Sequence, residues 1–325
     1  MKIKTLLAVC AALTVTVTAC ADPDETIGHD GGSTTRSISH ELGTVDIPSV
    51  PTALIALDEI AGLAALLSGI TPASVYASTG DIPSRAILED AGVDVEDVSV
   101  GTLPPLEELV AKTPDLLVGT GAASATGTTY AQLSDIAPTV VLPIEGDWRS
   151  LIRNSSLVFG AEQAGQAQID VIEDLLDDAS SVNHGTELSL LGNSFGQTTF
   201  TMPPHSPVST LIAAAGFTRP ESQLEETEGY STVLSNELLP QNDADIIVVP
   251  TGTYYTADAL TTLPIWATLT GVTVEPVGES WFGTHAFAFY VIATDLRTLA
   301  SGETGVSNPQ SIPSLWKTFT AAIES

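Results

Sequence analysis

One long amphipathic stretch, residues 161–182, constrains the fold more than any other feature of the sequence. Apolar residues recur in it mostly at steps of three and four, while acidic and amide side chains fill the other faces, a spacing that predicts the longest helix of the chain. Residues 107–121 before it and residues 237–252 after it each read as a short helix, a buried strand and a Gly-containing loop. This repeated pattern predicts an α/β fold in which two Rossmann-like lobes with mainly parallel sheets are joined by a long spine helix. The alternative is that the two units are simply two of the several that any α/β protein contains.

The chain is long enough for two cores, because it has 325 residues of which 43% are hydrophobic. The predicted organisation is, in chain order, a signal peptide at 1–19, a flexible tether at 20–36, an N-terminal α/β lobe at 37–158, the spine helix at 159–183 and a C-terminal α/β lobe at 184–325. Within the lobes, we expect Asp58 to cap a helix that Gly69 ends, residues 146–149 to form a loop, and residues 231–239 to form a loop and a helix.

The first twenty residues have the pattern of a bacterial lipoprotein signal. Lys2 and Lys4 precede an apolar run that is shorter than the ~20 residues needed to span a bilayer, and small residues lead into Cys20. We therefore expect Cys20 to be acylated and to anchor the protein to the outer face of the cytoplasmic membrane. The alternative is an ordinary cleaved signal with a chance cysteine. The other cysteine, Cys10, would leave with the signal, so no disulfide is expected.

The chain is strongly acidic. It has 10 Lys and Arg against 40 Asp and Glu, a formal net charge of −30. Such a field repels phosphate backbones, so nucleic acid is not expected as a partner, and anionic small ligands are disfavoured too. Acidity also serves solubility in many proteins, so it does not by itself define the ligand.

Residues 192–196 match the G-x-S-x-G pattern around the nucleophile of α/β-hydrolases. Ser194 would be the nucleophile, and Asp245 and His285 follow it in hydrolase order. A nucleophile elbow needs a helix directly after the serine, but residues 197–204 are rich in β-branched residues and end in proline. A secreted serine hydrolase is therefore the alternative function from another class.

The five histidines show no metal-ligand spacing, so no metal site is predicted. Imidazole and phenolate both serve as axial ligands of haem iron. Haem therefore remains open as a ligand. Its axial ligands would be His205 or His285 together with Tyr254 or Tyr255.

Five segments together resemble the substrate-binding proteins of ABC importers for iron-siderophores, haem and cobalamin. They are residues 40–48, 106–118, 133–139, 264–269 and 280–282. The resemblance implies a monomer without enzymatic activity or cofactor that captures a ferric siderophore between its lobes and delivers it to an ABC permease dimer. Haem and cobalamin are the alternatives within this class. The scarcity of basic residues favours a hydroxamate siderophore over an anionic one.

The expected ligand-binding residues are mostly aromatic side chains in predicted strand-exit loops, where the lobes would face each other. Flat rings there can enclose a bulky chelate, although Trp and Tyr at loop ends also fill cores. The candidates are Tyr76, Trp148, Phe195, Tyr254, Tyr255, Trp281 and Phe282, with Arg85 and Arg149 as cationic groups and His205 and His285 as further candidates.

Two acidic residues resemble by position the residues that meet permease arginines in this class. Glu107 and Glu237 each precede one copy of the repeated strand. The resemblance implies that they dock the two lobes onto the permease dimer. The alternative is that both are ordinary surface acids.

Overall fold

The structure, a computed structural model, describes residues 35–121 and 127–325. The expected signal peptide, Cys20 and nearly all of the expected tether lie outside these ranges. Residues 34–325 form one compact unit that contains both lobes and the helices between them. In the described part of the chain, no helix combines the length and the apolar character needed to cross a bilayer.

The N-terminal lobe is built on a five-stranded parallel sheet. A hairpin of β1 (Thr35–His40) and β2 (Gly43–Pro48) precedes it. The sheet strands are β3 (Leu54–Ala56), β4 (Ser74–Ser78), β5 (Asp94–Val98), β6 (Leu116–Thr120) and β7 (Thr139–Leu142). The helices are α1 (Glu59–Leu67), α2 (Ile82–Asp90), α3 (Leu106–Lys112) and α4 (Gly127–Ser134). The strand order β5-β4-β3-β6-β7 reverses its direction of growth between β3 and β6, which is where open α/β sheets bind ligands.

Helix α1 shows how local sequence positions this edge of the sheet. Asp58 caps it, because one carboxylate oxygen accepts a hydrogen bond from the Ala61 N–H (2.8 Å). Gly62 lies against Val75 on the neighbouring strand, where an added Cβ would come within 2.9 Å of a Val75 methyl. The helix therefore packs directly on the sheet, and its first turn is held at the switch point.

Two helices connect the lobes, α5 (Trp148–Phe159) and α6 (Glu162–Val182). Helix α6 is the predicted spine, and it buries Ile169, Ile172, Leu176 and Ala179, at the three- and four-residue steps expected from the sequence. Helix α5 was not predicted, since residues 146–149 were expected to form a loop. Asp147 caps α5 by accepting from the Ser150 N–H (3.1 Å).

The C-terminal lobe has a parallel sheet of order β13-β12-β8 and an antiparallel sheet of order β11-β10-β9. Their strands are β8 (Leu188–Leu190), β9 (Gly192–Ser194), β10 (Thr198–Thr201), β11 (Thr232–Val233), β12 (Ile246–Val248) and β13 (Val272–Val274). The helices are α7 (Pro207–Ala214), α8 (Asp258–Thr261), α9 (Gly278–Trp281), α10 (Ala286–Ala300) and α11 (Ile312–Ile323), with 3₁₀ turns at Glu221–Gln223, Asn236–Asn242 and Pro264–Thr268. The antiparallel sheet is a departure from prediction, since residues 231–239 were expected to form a loop and helix.

Candidate functional site

A cavity of about 450 Å³ lies between the carboxyl ends of the two parallel sheets. This volume is within the range of small-molecule sites. Its N-terminal-lobe lining is Glu59, Ile60, Asp81, Val100, Thr120 and Ile144. Its C-terminal-lobe lining is Tyr230, Tyr254, Tyr255, Glu279, Phe282, Gly283, Thr284 and His285.

On the N-terminal lobe, carboxylates hold together the edge of the cavity. The second oxygen of Asp58 accepts from the Thr120 N–H (2.6 Å), so this side chain ties α1 to the end of β6. Burial raises the pKa of Asp58 to about 6. Glu59 accepts from the Ser78 hydroxyl (2.5 Å) and N–H (3.1 Å), which ties α1 to the end of β4. The switch point is thus an acidic surface with fixed geometry.

Asp81 adds a third carboxylate at the next strand exit. It is buried and caps α2 by accepting from the Ser84 N–H (3.0 Å). Burial raises the pKa of Asp81 to about 7, and the nearby charges of Glu59 and of Glu279 in the other lobe act in the same direction. The carboxylates of Asp81 and Glu279, which belong to different lobes, therefore repel each other across the cavity.

On the C-terminal lobe, Glu279 is fixed by the loop that follows β12. It accepts from the Thr253 N–H (2.7 Å) and lies so close to Gly252 that an added Cβ there would be 2.1 Å from a carboxylate oxygen. Burial raises the pKa of Glu279. Only glycine at position 252 leaves room for this carboxylate.

Aromatic side chains form the apolar part of the C-terminal-lobe wall. The Tyr255 and Phe282 rings lie 4.6 Å apart between centroids, and Phe200 packs on Phe282 at 5.0 Å. The Tyr230 hydroxyl donates to the Phe282 carbonyl (2.6 Å). These contacts give the cavity a rigid aromatic wall beside its carboxylates.

Helix α9, which carries Glu279, is anchored from behind by a buried carboxylate. Asp295 accepts from the Trp281 indole N–H (2.8 Å), the Ser307 N–H (2.6 Å) and the Ser307 hydroxyl (2.7 Å). Burial raises the pKa of Asp295 to about 6. Asp295 is thus a positioning residue for the wall of the cavity.

His285 and Thr284 complete this wall at the start of α10. The His285 Nδ1 accepts from the Ala288 N–H (3.3 Å), and burial lowers the pKa of His285 to about 4, so the ring is neutral at physiological pH. The Thr284 hydroxyl is buried and has no hydrogen-bond partner among the described residues.

The lobes meet directly at one side of the cavity. The Gly80 N–H in the loop after β4 donates to the Tyr254 hydroxyl (2.8 Å), which belongs to the other lobe. An added Cβ on Gly80 would lie 2.3 Å from the Tyr254 ring. The contact therefore depends on glycine at this position.

Four of the eleven predicted ligand-binding residues line the cavity: Tyr254, Tyr255, Phe282 and His285. Phe195 lies beside Tyr254 with centroids 5.6 Å apart, but it is 60% exposed and is not part of the lining. The four lining residues all belong to the C-terminal lobe.

Three predicted aromatic residues are core residues instead. Tyr76 and Trp148 are 1% and 0% exposed, and Trp148 packs edge-on against Phe289. The Tyr76 hydroxyl donates to Glu108 (3.0 Å), and Trp281, the last residue of α9, is 0% exposed. Rings that lack solvent exposure fill the space between layers and offer no face to the cavity.

The two predicted cationic residues and His205 also lie outside the cavity lining. Arg85 pairs with Asp97 (2.9 Å), and Arg149 pairs with Glu173 of the spine (2.5 Å) while stacking on Trp148. His205 is exposed and pairs with Glu226. Among residues 35–121 and 127–325, no Lys or Arg lines the cavity.

Several lining residues were not predicted from the sequence: the carboxylates Glu59, Asp81 and Glu279, together with Tyr230 and Thr284. Asp58 was recognised as a helix cap, but the acid beside it was not linked to a site. The signal that could have identified the three carboxylates is their position in the sequence, since each one lies shortly after a strand ends.

The G-x-S-x-G pattern does not form a nucleophile elbow. Ser194 ends β9, residues 195–197 turn, and β10 returns antiparallel to β9. Phe195 takes a left-handed backbone conformation in this turn (φ 53°). The strand–turn–helix geometry of a hydrolase is therefore absent from this described segment.

Of the residues left open as haem ligands, Tyr254, Tyr255 and His285 line the cavity, whereas His205 is exposed and pairs with Glu226. Because Nδ1 of His285 accepts a hydrogen bond, its ring proton is on Nε2 and neither nitrogen offers a free lone pair. In the described part of the chain, no group of three or more His, Cys, Asp or Glu side chains is placed to hold a metal ion.

The chain is similar to proteins whose names refer to siderophores. The chain is 28% identical over 226 residues to the probable siderophore-binding lipoprotein YfiY of Bacillus subtilis, covering 66% of this chain and 68% of that one. Its fold is similar to that of SirA of Staphylococcus aureus complexed with staphyloferrin B, with a TM-score of 0.68, 20% identity and coverage of 82% of this chain and 99% of that one. It is also similar to the catecholate-siderophore binding protein VctP of Vibrio cholerae, with a TM-score of 0.63, 20% identity and coverage of 81% and 99%.

The profile of the family described as "Periplasmic binding protein" matches residues 58–273. This match begins at the cap of α1 and ends in β13, so it includes four of the five strands of the N-terminal sheet, the spine and nearly all of the C-terminal parallel sheet. The chain belongs to the periplasmic binding protein family.

Proposed function

We propose that the protein is an extracytoplasmic substrate-binding protein that captures a ferric siderophore, preferably of hydroxamate type, and delivers it to an ABC permease. The observation that carries this proposal is the aromatic-walled cavity at the carboxyl ends of both sheets, in a chain of this family. The relation to a protein named as siderophore-binding supports the choice of ligand class.

The binding mechanism follows from the two walls. The aromatic wall of Tyr255 and Phe282 covers the apolar surface of the chelate, and hydroxyl and carboxylate groups at the other wall bind its polar edge. The Tyr254–Gly80 contact closes one side of the cavity over the ligand. Binding needs no bond to form or break, so the proposed role is capture and release.

The preference for hydroxamates rests on charge. Ferric catecholates carry several negative charges, whose burial needs compensating cationic donors. The described cavity lining offers no Lys or Arg, and His285 is neutral. A neutral or cationic chelate avoids this cost. Proteins of similar fold named as catecholate-siderophore binders show that fold alone does not decide the type.

We further propose that Cys20 is acylated and holds the protein on the outer face of the cytoplasmic membrane. The relative named as a lipoprotein supports this. Cells expressing the chain and fed a clickable fatty acid should label the wild-type protein, and Cys20→Ser should abolish the label. Equal labelling of the variant would refute acylation at this residue.

Docking on the permease is proposed for Glu107 of α3 and Glu237 of the 3₁₀ turn Asn236–Asn242. Both residues are exposed, one on each lobe. Two ion pairs formed at once would orient the protein on a permease dimer better than one.

The test of the proposed function is a titration of intrinsic tryptophan fluorescence. Trp281 directly precedes Phe282 in the cavity wall, so a bound iron chelate should quench it. Ferric hydroxamates, a ferric catecholate, haem and cobalamin are titrated separately. We expect saturation at one equivalent with a hydroxamate. Saturation only with haem or cobalamin would replace the ligand, and no saturation with any of them would refute the proposal.

A further inference from the structure

The charge of the cavity is opposite to what an anionic ligand requires. Glu59 and Asp81 contribute carboxylates from one lobe and Glu279 from the other. The described lining contains no Lys or Arg, and His285 adds no charge at neutral pH. Three acids gathered around an enclosed space repel one another, and burial makes the repulsion stronger. A positive group placed between them would remove this repulsion.

A second observation in the same cavity points to a missing partner. The Thr284 hydroxyl lines the cavity in a residue that is only 8% exposed, yet it has no hydrogen-bond partner among the described residues. Burying a polar group without a partner is unfavourable, so such a group in a cavity wall indicates a ligand atom that pairs with it.

In the described part of the chain the three carboxylates are not grouped to hold a metal ion, but their oxygens can accept hydrogen bonds from an organic group. Each is held by the protein: Glu59 by Ser78, Asp81 by Ser84 and Glu279 by Thr253. Their remaining lone pairs are unfilled by the bonds given above. A primary ammonium group carries three N–H donors, which can be shared among carboxylates of both lobes.

We propose that the ligand is a ferric hydroxamate chelate that carries a free ammonium group, and that Glu59, Asp81 and Glu279 together bind this group. The proposal rests on the proposed function, since it specifies which ferric siderophore the cavity takes. Sharing one cation between the lobes also makes the ligand itself a bridge across the cleft.

The test uses two ligands that differ only in this charge. One is a linear ferric trihydroxamate with a terminal primary amine, and the other is the same chelate with that amine acetylated. Dissociation constants are measured for both by fluorescence titration of the full chain. We expect the ammonium form to bind at least about tenfold more tightly, as charge-assisted hydrogen bonds in a partly buried site allow. This comparison uses the unmodified protein, so it does not depend on any variant folding.

Variants then assign the effect to the carboxylates. Glu279→Gln keeps the oxygen that accepts from the Thr253 N–H but removes the charge. We expect it to reduce the affinity ratio of the two ligands to about threefold or less, while changing the acetylated form by less than about twofold. The exposed Glu303→Gln is the matched control and should leave both constants unchanged.

Several outcomes would overturn the inference. Equal binding of the two forms, an unchanged ratio in Glu279→Gln, or tighter binding of an anionic catecholate would each do so while leaving siderophore binding in place. If no ferric chelate binds at all, the proposed function itself is refuted.

Discussion

Replacing Gly80 with alanine should loosen the cleft without disturbing either lobe. The Gly80 backbone is not in the left-handed region, so alanine can adopt its conformation. The new Cβ would nevertheless lie 2.3 Å from Cζ and 2.4 Å from the hydroxyl oxygen of Tyr254. The Tyr254 ring must therefore move, and the hydrogen bond from the Gly80 N–H (2.8 Å) is lost.

The magnitude follows from that hydrogen bond. A neutral intramolecular hydrogen bond contributes about 0.5–1.5 kcal/mol net, so its loss should weaken ligand binding about two- to thirteenfold if closure accompanies binding. The free energy of unfolding should fall by no more than about the same 0.5–1.5 kcal/mol, the contribution of one hydrogen bond, because the contact is only partly buried. Fluorescence titration gives the affinity, and denaturant unfolding gives the stability.

Two variants serve as controls for this reasoning. Gly305 also lies outside the left-handed region and has open space around its Cβ position, so Gly305→Ala should leave affinity unchanged. Tyr254→Phe removes the hydroxyl without adding an atom and should weaken binding to a similar extent. Wild-type affinity in a folded Gly80→Ala protein, or an equal loss in Gly305→Ala, would show that the contact does not close the cleft.

Three further predictions concern other parts of the chain. Ser194→Ala should leave ligand affinity unchanged, because Ser194 ends a hairpin strand; ester hydrolysis by the purified wild-type protein that this variant abolishes would instead establish a hydrolase. Changing Glu107 and Glu237 together to Arg should abolish siderophore uptake by cells but preserve affinity in vitro, and normal uptake would exclude them as the docking pair. The pKa of Asp295 is raised from 3.8 to about 6, so its contribution to stability is full below pH 3.8 and is lost as pH rises through 6. Asp295→Asn should therefore make the fall in unfolding free energy across this window shallower by up to about 1.4 kcal/mol per pH unit, whereas the exposed Asp177→Asn should not.

The fold was predictable where its signals are local. The spine followed from apolar steps along residues 161–182, and α1 followed from Asp58 before an apolar run and Gly69 after it. The mainly parallel architecture followed from strands alternating with helices. The first two signals are each contained within one element, and the third lies in the order of the elements, so no knowledge of packing was needed.

The elements that were missed depend on packing or on weak local signals. Helix α5 has an Asp147 cap and a Gly160 stop, but its first residues Trp148 and Arg149 were interpreted as loop residues that face a ligand. In the antiparallel sheet, β11 pairs with β10 from a segment that is distant in sequence, so this pairing has no short-range signature.

The site was only partly predictable for a related reason. Aromatic side chains at strand exits were expected to line the cleft, but Trp148 and Trp281 are 0% exposed because a large ring fills a gap between layers equally well. An individual carboxylate did not indicate a site in the sequence, because the chain has 40 Asp and Glu residues. Only the meeting of two lobes shows that Asp81 and Glu279 face the same space.

The positions of the acids also give a physical reason for the proposed preference against anionic ligands. Helix N-termini at the carboxyl ends of parallel strands carry partial positive charge and free N–H groups, and many folds use them to bind anions. Here the chain fills these ends itself: Asp58 accepts from the first turn of α1 and Asp81 from the first turn of α2, both at the cavity edge. Each cap satisfies the helix and leaves a negative charge where an anionic ligand would bind. A protein carboxylate thus takes the place of a ligand anion at each helix end, which is the physical basis of the proposed preference for a neutral or cationic chelate.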